Sequence, residues 1–219
     1  MCGRYTFRTH PNVVAEDFEL PYLPPYMPRW NIAPTTSVPV IRMHDGQPEV
    51  AMVRWGLIPS WTKDLKTSPL LINAKSETAA TKPSFRAAFK RRRCLVLADG
   101  YYEWQKIGKL KQPWYYRLPS DRPFAFAGLW ERWEGSETPI ESCTILTTDA
   151  NELAAAVHNR MPVILPRDAR RPWLDPEIDA AVLQELLRPY PAGEMTAYAV
   201  NPIVNKAGNE GPECITPVG

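Results

Sequence analysis

Histidine is scarce in this chain: three residues among 219, at positions 10, 44 and 158. Cysteine is nearly as rare, with four, at positions 2, 94, 143 and 214. No two cysteines lie within the spacing of a metal clip, so no metal site is expected and a reducing compartment is the simplest setting. Excess charge is missing too. Lys and Arg total 26 against 24 Asp and Glu, a net of +2, and so weak a balance does not diagnose nucleic-acid binding; only the placement of the basic residues can. No stretch approaches the roughly 20 apolar residues of a membrane span. The first residues, Met-Cys-Gly-Arg-Tyr, carry no apolar signal core. These absences predict a cytoplasmic protein with no membrane segment and no cofactor.

Two residue types are abundant: 24 prolines and 8 tryptophans. Many prolines mean many fixed turns and few long helices. Eight tryptophans exceed the needs of one core, so some are expected to line a binding surface. The length suits one domain, residues 1–219, which at this size buries about 70% of its unfolded surface without help from disulfides or metals.

Local patterns place the elements. A short helix is expected over 11–20 and an irregular, proline-rich connection over 21–34. Apolar runs at 38–43 and 50–55 around Asp45-Gly46 read as a hairpin. Residues 82–93 read as a basic helix with Phe85 and Phe89 on one face, and its Lys90–Arg93 run as a solvated face suited to the helix dipole. Strands follow at 94–98, 101–105, 114–118, 124–130, 143–148, 162–165 and 195–200. Residues 152–157 form a short helix capped by Asp149 or Asn151. The clearest helix is 176–187, where Ile178, Val182, Leu183, Leu186 and Leu187 make one stripe. Many short strands with scattered helices predict an α+β domain around a mostly antiparallel, barrel-like sheet.

Cys2 is the leading chemical candidate. Removal of Met1, which a small second residue permits, leaves an α-amine and a thiol on adjacent carbons. Their ordinary pKa values, about 7.7 and 8.5, supply both nucleophiles near neutrality. A 1,2-aminothiol condenses with an aldehyde to an imine and closes to a five-membered thiazolidine. The plainer alternative is a small residue tucked in at a chain end. Glu103 sits among aromatics in Asp-Gly-Tyr-Tyr-Glu-Trp, where desolvation would raise its pKa toward neutrality; the alternative is a solvent-facing strand position. His158 follows an apolar helix and is the best buried titrating candidate, or else a helix-end cap. Asn73 offers donor and acceptor together, or else an ordinary N-cap. Trp55 and Trp61, beside Arg4, Arg54, Lys63 and Lys75, suit a groove in which bases stack and cations track phosphates; core tryptophans on a bent strand fit the pattern equally.

In combination these segments resemble the SOS-response-associated peptidase (SRAP) family. The resemblance rests on Met1–Tyr5, Tyr26–Pro34, Trp55–Pro59, Asn73–Thr78, Arg93–Val96 running into Gly100–Trp104, and His158–Pro162, in order and spacing from residue 1 to about 205. It implies a protein that caps abasic sites in single-stranded DNA through a thiazolidine to the ring-opened sugar. It implies that Cys2 is the nucleophile and that Asn73 positions its amine. Glu103 assists ring opening and imine chemistry, and His158 moves protons and reverses the cross-link. Arg4, Asn31, Pro34, Trp55, Trp61, Lys75, Trp104 and Arg160 become candidate DNA contacts. One departure stands out: the Asn-Ala pair is usually followed by Arg, and here by Lys75, which cannot grip a phosphate bidentately. Two other functions compete. A cysteine peptidase would use the same Cys, Glu and His, with self-removal of Met1 as its minimal form. A non-catalytic reader of single-stranded or modified DNA needs only the aromatic and basic groove. Nothing in the pattern requires a dimer, and a monomer is expected.

Overall fold

The computed structural model describes residues 2–218. Its strands are β1 (Arg4–Phe7), β2 (Arg29–Ile32), β3 (Ser37–His44), β4 (Gln47–Trp55), β5 (Asn73–Lys75), β6 (Arg93–Ala98) and β7 (Gly100–Ile107), then β8 (Leu110–Arg117), β9 (Phe124–Trp133), β10 (Ile140–Asp149), β11 (Arg160–Pro162), β12 (Ile164–Leu165) and β13 (Thr196–Ala199). The helices are short: α1 (Pro11–Asp17), α2 (Ser76–Ala79), α3 (Arg86–Arg91), α4 (Glu152–Ala155), α5 (Arg167–Leu174) and α6 (Ala180–Glu185). The fold is α+β and mostly antiparallel.

Part of the larger sheet closes on itself. The strands β4, β3, β6 and β9 are joined by antiparallel ladders, and β10 bonds β9 on one edge and β4 on the other. The β4–β10 link is parallel, pairing Ser142 with Arg54 and Cys143 with Trp55. Closure removes exposed edges. The barrel strand β6 is buried at all six positions, which explains its unbroken apolar run from Cys94 to Ala98. The β3–β4 hairpin turns at Asp45 and Gly46, both with positive φ (48° and 77°), the geometry a two-residue hairpin loop favours.

The second sheet runs β13-β8-β7-β1-β2. Asp99 alone separates β6 of the barrel from β7 of this sheet, and its buried carboxylate accepts from the Thr6 hydroxyl, the Arg8 and Thr9 amides and the Thr9 hydroxyl. That knot fixes β1, and hence the start of the chain, against both sheets. Neighbouring residues on β7 face opposite ways. Tyr101 joins the main core between the sheets, whereas Tyr102 joins a small outer cluster with Tyr115, Val200, Val204 and Cys214. On the outer face the Tyr115 ring lies across Gly100, where an added Cβ would sit 2.1 Å from the Tyr115 hydroxyl oxygen.

Several local expectations change. The expected irregular stretch contains β2, held by Glu210, whose carboxylate accepts from the Trp30 and Asn31 amides and pairs with Arg29. The clearest expected helix shrinks to α6, because Asp175 and Asp179 accept from the amides of Glu177 and Ala181 and compete with helical bonding. Leu183 and Leu187 are buried, while Val182 faces solvent. The basic helix shrinks to α3. Arg93 leaves it to start β6 and is buried, donating to the carbonyls of Phe89, Lys90, Trp173 and Asp175, so the solvated-face reading fails there. The unforeseen α5 carries Pro172 inside it and is held by buried Trp173, whose indole donates to the Cys94 carbonyl at 3.0 Å. The expected strand over 162–165 divides into β11 and β12, which pair with β10 and β9 respectively.

Candidate active site around Cys2

Cys2 is buried in the main core beside the start of β1, with its thiol 3.7 Å from the Arg4 carbonyl. Burial, and then the charge of Glu103, push the thiol well above its ordinary pKa. The sulfur is therefore a thiol at neutral pH and needs a base before it can act.

Asn73 opens β5, whose parallel pairing with Ile145 to Thr147 of β10 fixes it rigidly. It does not cap α2; that position belongs to Lys75, which makes no side-chain capping bond. The Asn73 Nδ2 donates instead to the Cys2 carbonyl at 2.8 Å. Its Oδ1 is buried and has no hydrogen-bond partner among the described residues.

Glu103 is only 4% exposed, which excludes the solvent-facing alternative. Burial pushes its carboxyl above the ordinary value, and the nearby His158 imidazole works against that rise. His158 is half-buried and sits just past α4, its amide donating to the Ala154 carbonyl at 3.0 Å. Its Nδ1 accepts from the Arg160 amide at 3.0 Å. The same nitrogen lies 3.2 Å from the Arg160 carbonyl, to which it donates in the other tautomer. Thus Cys2, Asn73, Glu103 and His158, carried by four different segments, converge on one place.

Tyrosines supply a feature that the sequence reading missed. Tyr5 on β1 pairs with Tyr101 on β7, and Tyr101 pairs with Tyr116 on β8. The three form one row across the sheet, fully buried and facing the core. The Tyr101 and Tyr116 rings stack at 4.8 Å. All three hydroxyls lack a hydrogen-bond partner among the described residues. One such orphan costs about 1–3 kcal/mol, so three in a row require explanation. The available signal was strand period: Tyr101 lies two residues before Glu103 and shares its face.

The candidate DNA contacts separate into three kinds. Trp61, at 62%, and Lys75 are exposed, and Pro34 and Trp104 are half-buried. The Trp104 indole donates to the Asn205 side chain at 2.6 Å. A shallow pocket lined by Gly3, Arg4, Trp104, Lys111 and Asn205 opens one residue from Cys2. Arg4 and Arg160 are already engaged. Arg4 donates to Asn31 and to the carbonyls of Val204 and Asn205; Arg160 pairs with Glu77 and Asp149 and donates to the Thr147 carbonyl. Trp55 and Asn31 are corrections. Trp55 is fully buried, edge-on to Tyr5 at 5.2 Å, and cannot stack on a base. Asn31 is fully buried and its Nδ2 holds the carbonyls of Val204, Lys206 and Asn209. Both have structural roles because β4 and β2 bury the faces that carry them. Among the described residues no group of three or more His, Cys, Asp and Glu is arranged to hold a metal ion, and no helix is long and apolar enough to cross a membrane.

A closed barrel and a second sheet that together hold Cys2, Asn73, Glu103 and His158 define an α+β protein with its candidate site beside β1. Residues 1–207 match the family model for SOS response associated peptidase (SRAP), and the chain belongs to that family. It is 42% identical over 98% of its length to the abasic site processing protein YoqW of Bacillus subtilis, covering 99% of that protein. It is 32% identical to the abasic site processing protein YedK of Escherichia coli, over the whole of both chains. Among solved structures, a Bacteroides thetaiotaomicron protein superposes with a TM-score of 0.87 at 28% identity, covering 99% of this chain and 100% of that one.

Proposed function

We propose that this protein caps abasic sites in single-stranded DNA, forming a thiazolidine between mature Cys2 and the ring-opened sugar aldehyde. The observation that carries this reading is the grip of Asn73 on the Cys2 carbonyl, with the thiol within the electrostatic reach of Glu103. The names of the relatives supply the substrate class. Removal of Met1 frees the Cys2 amine, and the Asn73 Oδ1, without a partner among the described residues, is an acceptor suited to an N–H at that position.

The amine adds to the aldehyde carbon to give a carbinolamine. Glu103, in its acid form, protonates the departing hydroxyl; water leaves, and an iminium and a carboxylate remain. The carboxylate then takes the proton of the Cys2 thiol as sulfur bonds to the iminium carbon, whose C=N electrons return to nitrogen. One aldehyde and one aminothiol become one thiazolidine and one water, and Glu103 ends as it began. A raised Glu103 pKa serves both halves, since the same group must give and take a proton near neutrality. His158 exchanges protons with Glu103 and serves the reverse, ring-opening direction. Exposed Trp61 and Lys75, with the pocket of Gly3, Arg4, Trp104 and Lys111, receive the flanking strand. The protein acts as a monomeric single domain in the cytoplasm, and Met1 is removed either by an aminopeptidase or by the site itself.

Intact mass spectrometry before and after addition of an abasic single-stranded oligonucleotide tests this reading. The expected result is loss of Met1 and a stable gain of one oligonucleotide less one water. Cys2→Ala and a variant that retains Met1 give no adduct. Undiminished adduct in either variant would sink the proposal, and robust Cys2-dependent turnover of unstructured casein would favour a general peptidase.

A further inference from the structure

The inner face of the second sheet carries a device that the capping chemistry above does not use. Tyr5, Tyr101 and Tyr116 stand at matched register on three adjacent strands. Glu103 lies on the same face of β7, two residues beyond Tyr101, and opposite Trp114 of β8. The groups that titrate around Glu103 are Cys2 from the chain start, Tyr101 on its own strand, Tyr116 on β8 and His158 beyond α4; in the mature protein the Cys2 amine joins them. Three buried hydroxyls without partners among the described residues, all on the face that carries Glu103, make a polar lining within the core. Apolar cavities stay dry, whereas a lining with several polar partners holds ordered water.

We propose that the Tyr101 and Tyr116 hydroxyls, with Tyr5 at the end of the row, hold buried water against Glu103 and act as positioning residues for its proton transfer. The hydroxyls and the water donate toward the carboxylate and stabilise its charged form. Burial favours the protonated form of Glu103; the row works in the opposite direction, toward the carboxylate that accepts the thiol proton. The water released during imine formation has the same lining to pass along. The role depends on Glu103 acting as proposed above, and the control in wild-type protein separates the two ideas.

The test is the pH dependence of adduct formation under single-turnover conditions, for wild type, Glu103→Gln, Tyr101→Phe, Tyr116→Phe and the double Phe variant. The Glu103 ionisation is the one that disappears in Glu103→Gln. In the Phe variants its midpoint moves to higher pH by about one unit, the tenfold change that loss of one ordinary hydrogen bond to a charged group produces. The melting temperature stays near that of wild type, because Phe keeps the ring and removes a hydroxyl that bonds none of the described residues. Tyr102→Phe is the control from the opposite face. It loses the bond to the Trp30 carbonyl at 2.6 Å, so it lowers the melting temperature and leaves the midpoint in place. Phe variants whose midpoint coincides with that of wild type overturn the proposal, as does an equal shift in Tyr102→Phe. Absence of any adduct in wild-type protein overturns the capping reading instead.

Discussion

The two faces of the sheet formed by β1, β7 and β8 use the same residue type in opposite ways. On the outer face, Tyr102 donates to the Trp30 carbonyl and Tyr115 shares a bond with Thr6, at 2.6 and 2.9 Å. Around them Arg4 and Asn31 tie β1 and β2 to the carbonyls of Val204 and Asn209, and Glu210 accepts from the Trp30 amide of β2. On the inner face, the hydroxyls of Tyr5, Tyr101 and Tyr116 find no partner among the described residues, and neither does the Oδ1 of Asn73 on β5 of the other sheet. The outer face follows the rule that buried polar groups are paired; the inner face breaks it several times within one site. Residues that hold a fold satisfy one another, whereas residues that await a reactant keep unsatisfied positions.

The comparison breaks most sharply at Glu103. Glu103→Gln lowers the single-turnover adduct rate by about 10²–10⁴-fold, the usual worth of a general acid–base group. The same change stabilises the fold. Burial raises the folded pKa above the ordinary 4.5, so the unfolded chain ionises more readily and wild type loses stability as pH rises from about 4.5 through the folded value. The gap in melting temperature between Glu103→Gln and wild type is therefore absent at pH 3, opens as pH rises past about 4.5 and is largest above the folded pKa. A rate loss without that pH-dependent gain would place the group in solvent.

Gly100→Ala tests the outer face. A Cβ there meets the Tyr115 ring at 2.1–2.4 Å, and overpacking of this severity costs about 3 kcal/mol, on the order of 10 °C in Tm for a chain of this size. Calorimetry reads that loss, and the adduct rate per folded molecule stays within about twofold of wild type. Asn31→Ala is milder. It leaves the carbonyls of Val204, Lys206 and Asn209 without their donor and costs about 1–3 kcal/mol, with hydrogen exchange rising over residues 202–215. Unchanged exchange there would show that the Asn31 clamp does not hold the tail. The smallest effect belongs to Lys75→Arg on the exposed side of β5. A bidentate guanidinium grips phosphate better than an ammonium, so affinity for a single strand rises a few-fold, as measured by fluorescence anisotropy, with the adduct rate at saturation unchanged.

Segments whose structure depends on near neighbours were legible in the sequence. The Asp45-Gly46 turn, the buried β6 run and the strands β7 and β8 lie where periodicity and turn chemistry put them. α5 was hidden because Pro172 argued against a helix and only the distant Cys94 carbonyl rewards Trp173 for forming one. The 176–187 helix was overread because side-chain caps at Asp175 and Asp179 competed with an apolar stripe.

The site divides along the same line. Residue types and order marked Cys2, Asn73, Glu103 and His158 as candidates, and the resemblance to a family joined them before any distance was known. Sequence alone left Trp55 with two equal readings and left open for Asn73 a helix cap that it does not make. The tertiary structure decided these, since burial of Trp55 depends on β4 pairing with β10 nearly 90 residues later, and the reach of Asn73 to Cys2 spans 71 residues. Sequence by itself determined which chemical groups the chain owns and where it turns. Which of those groups meet, and which are left unpaired when they do, was settled only by long-range strand closure, because neither the register nor the pairing of distant strands is written in local periodicity.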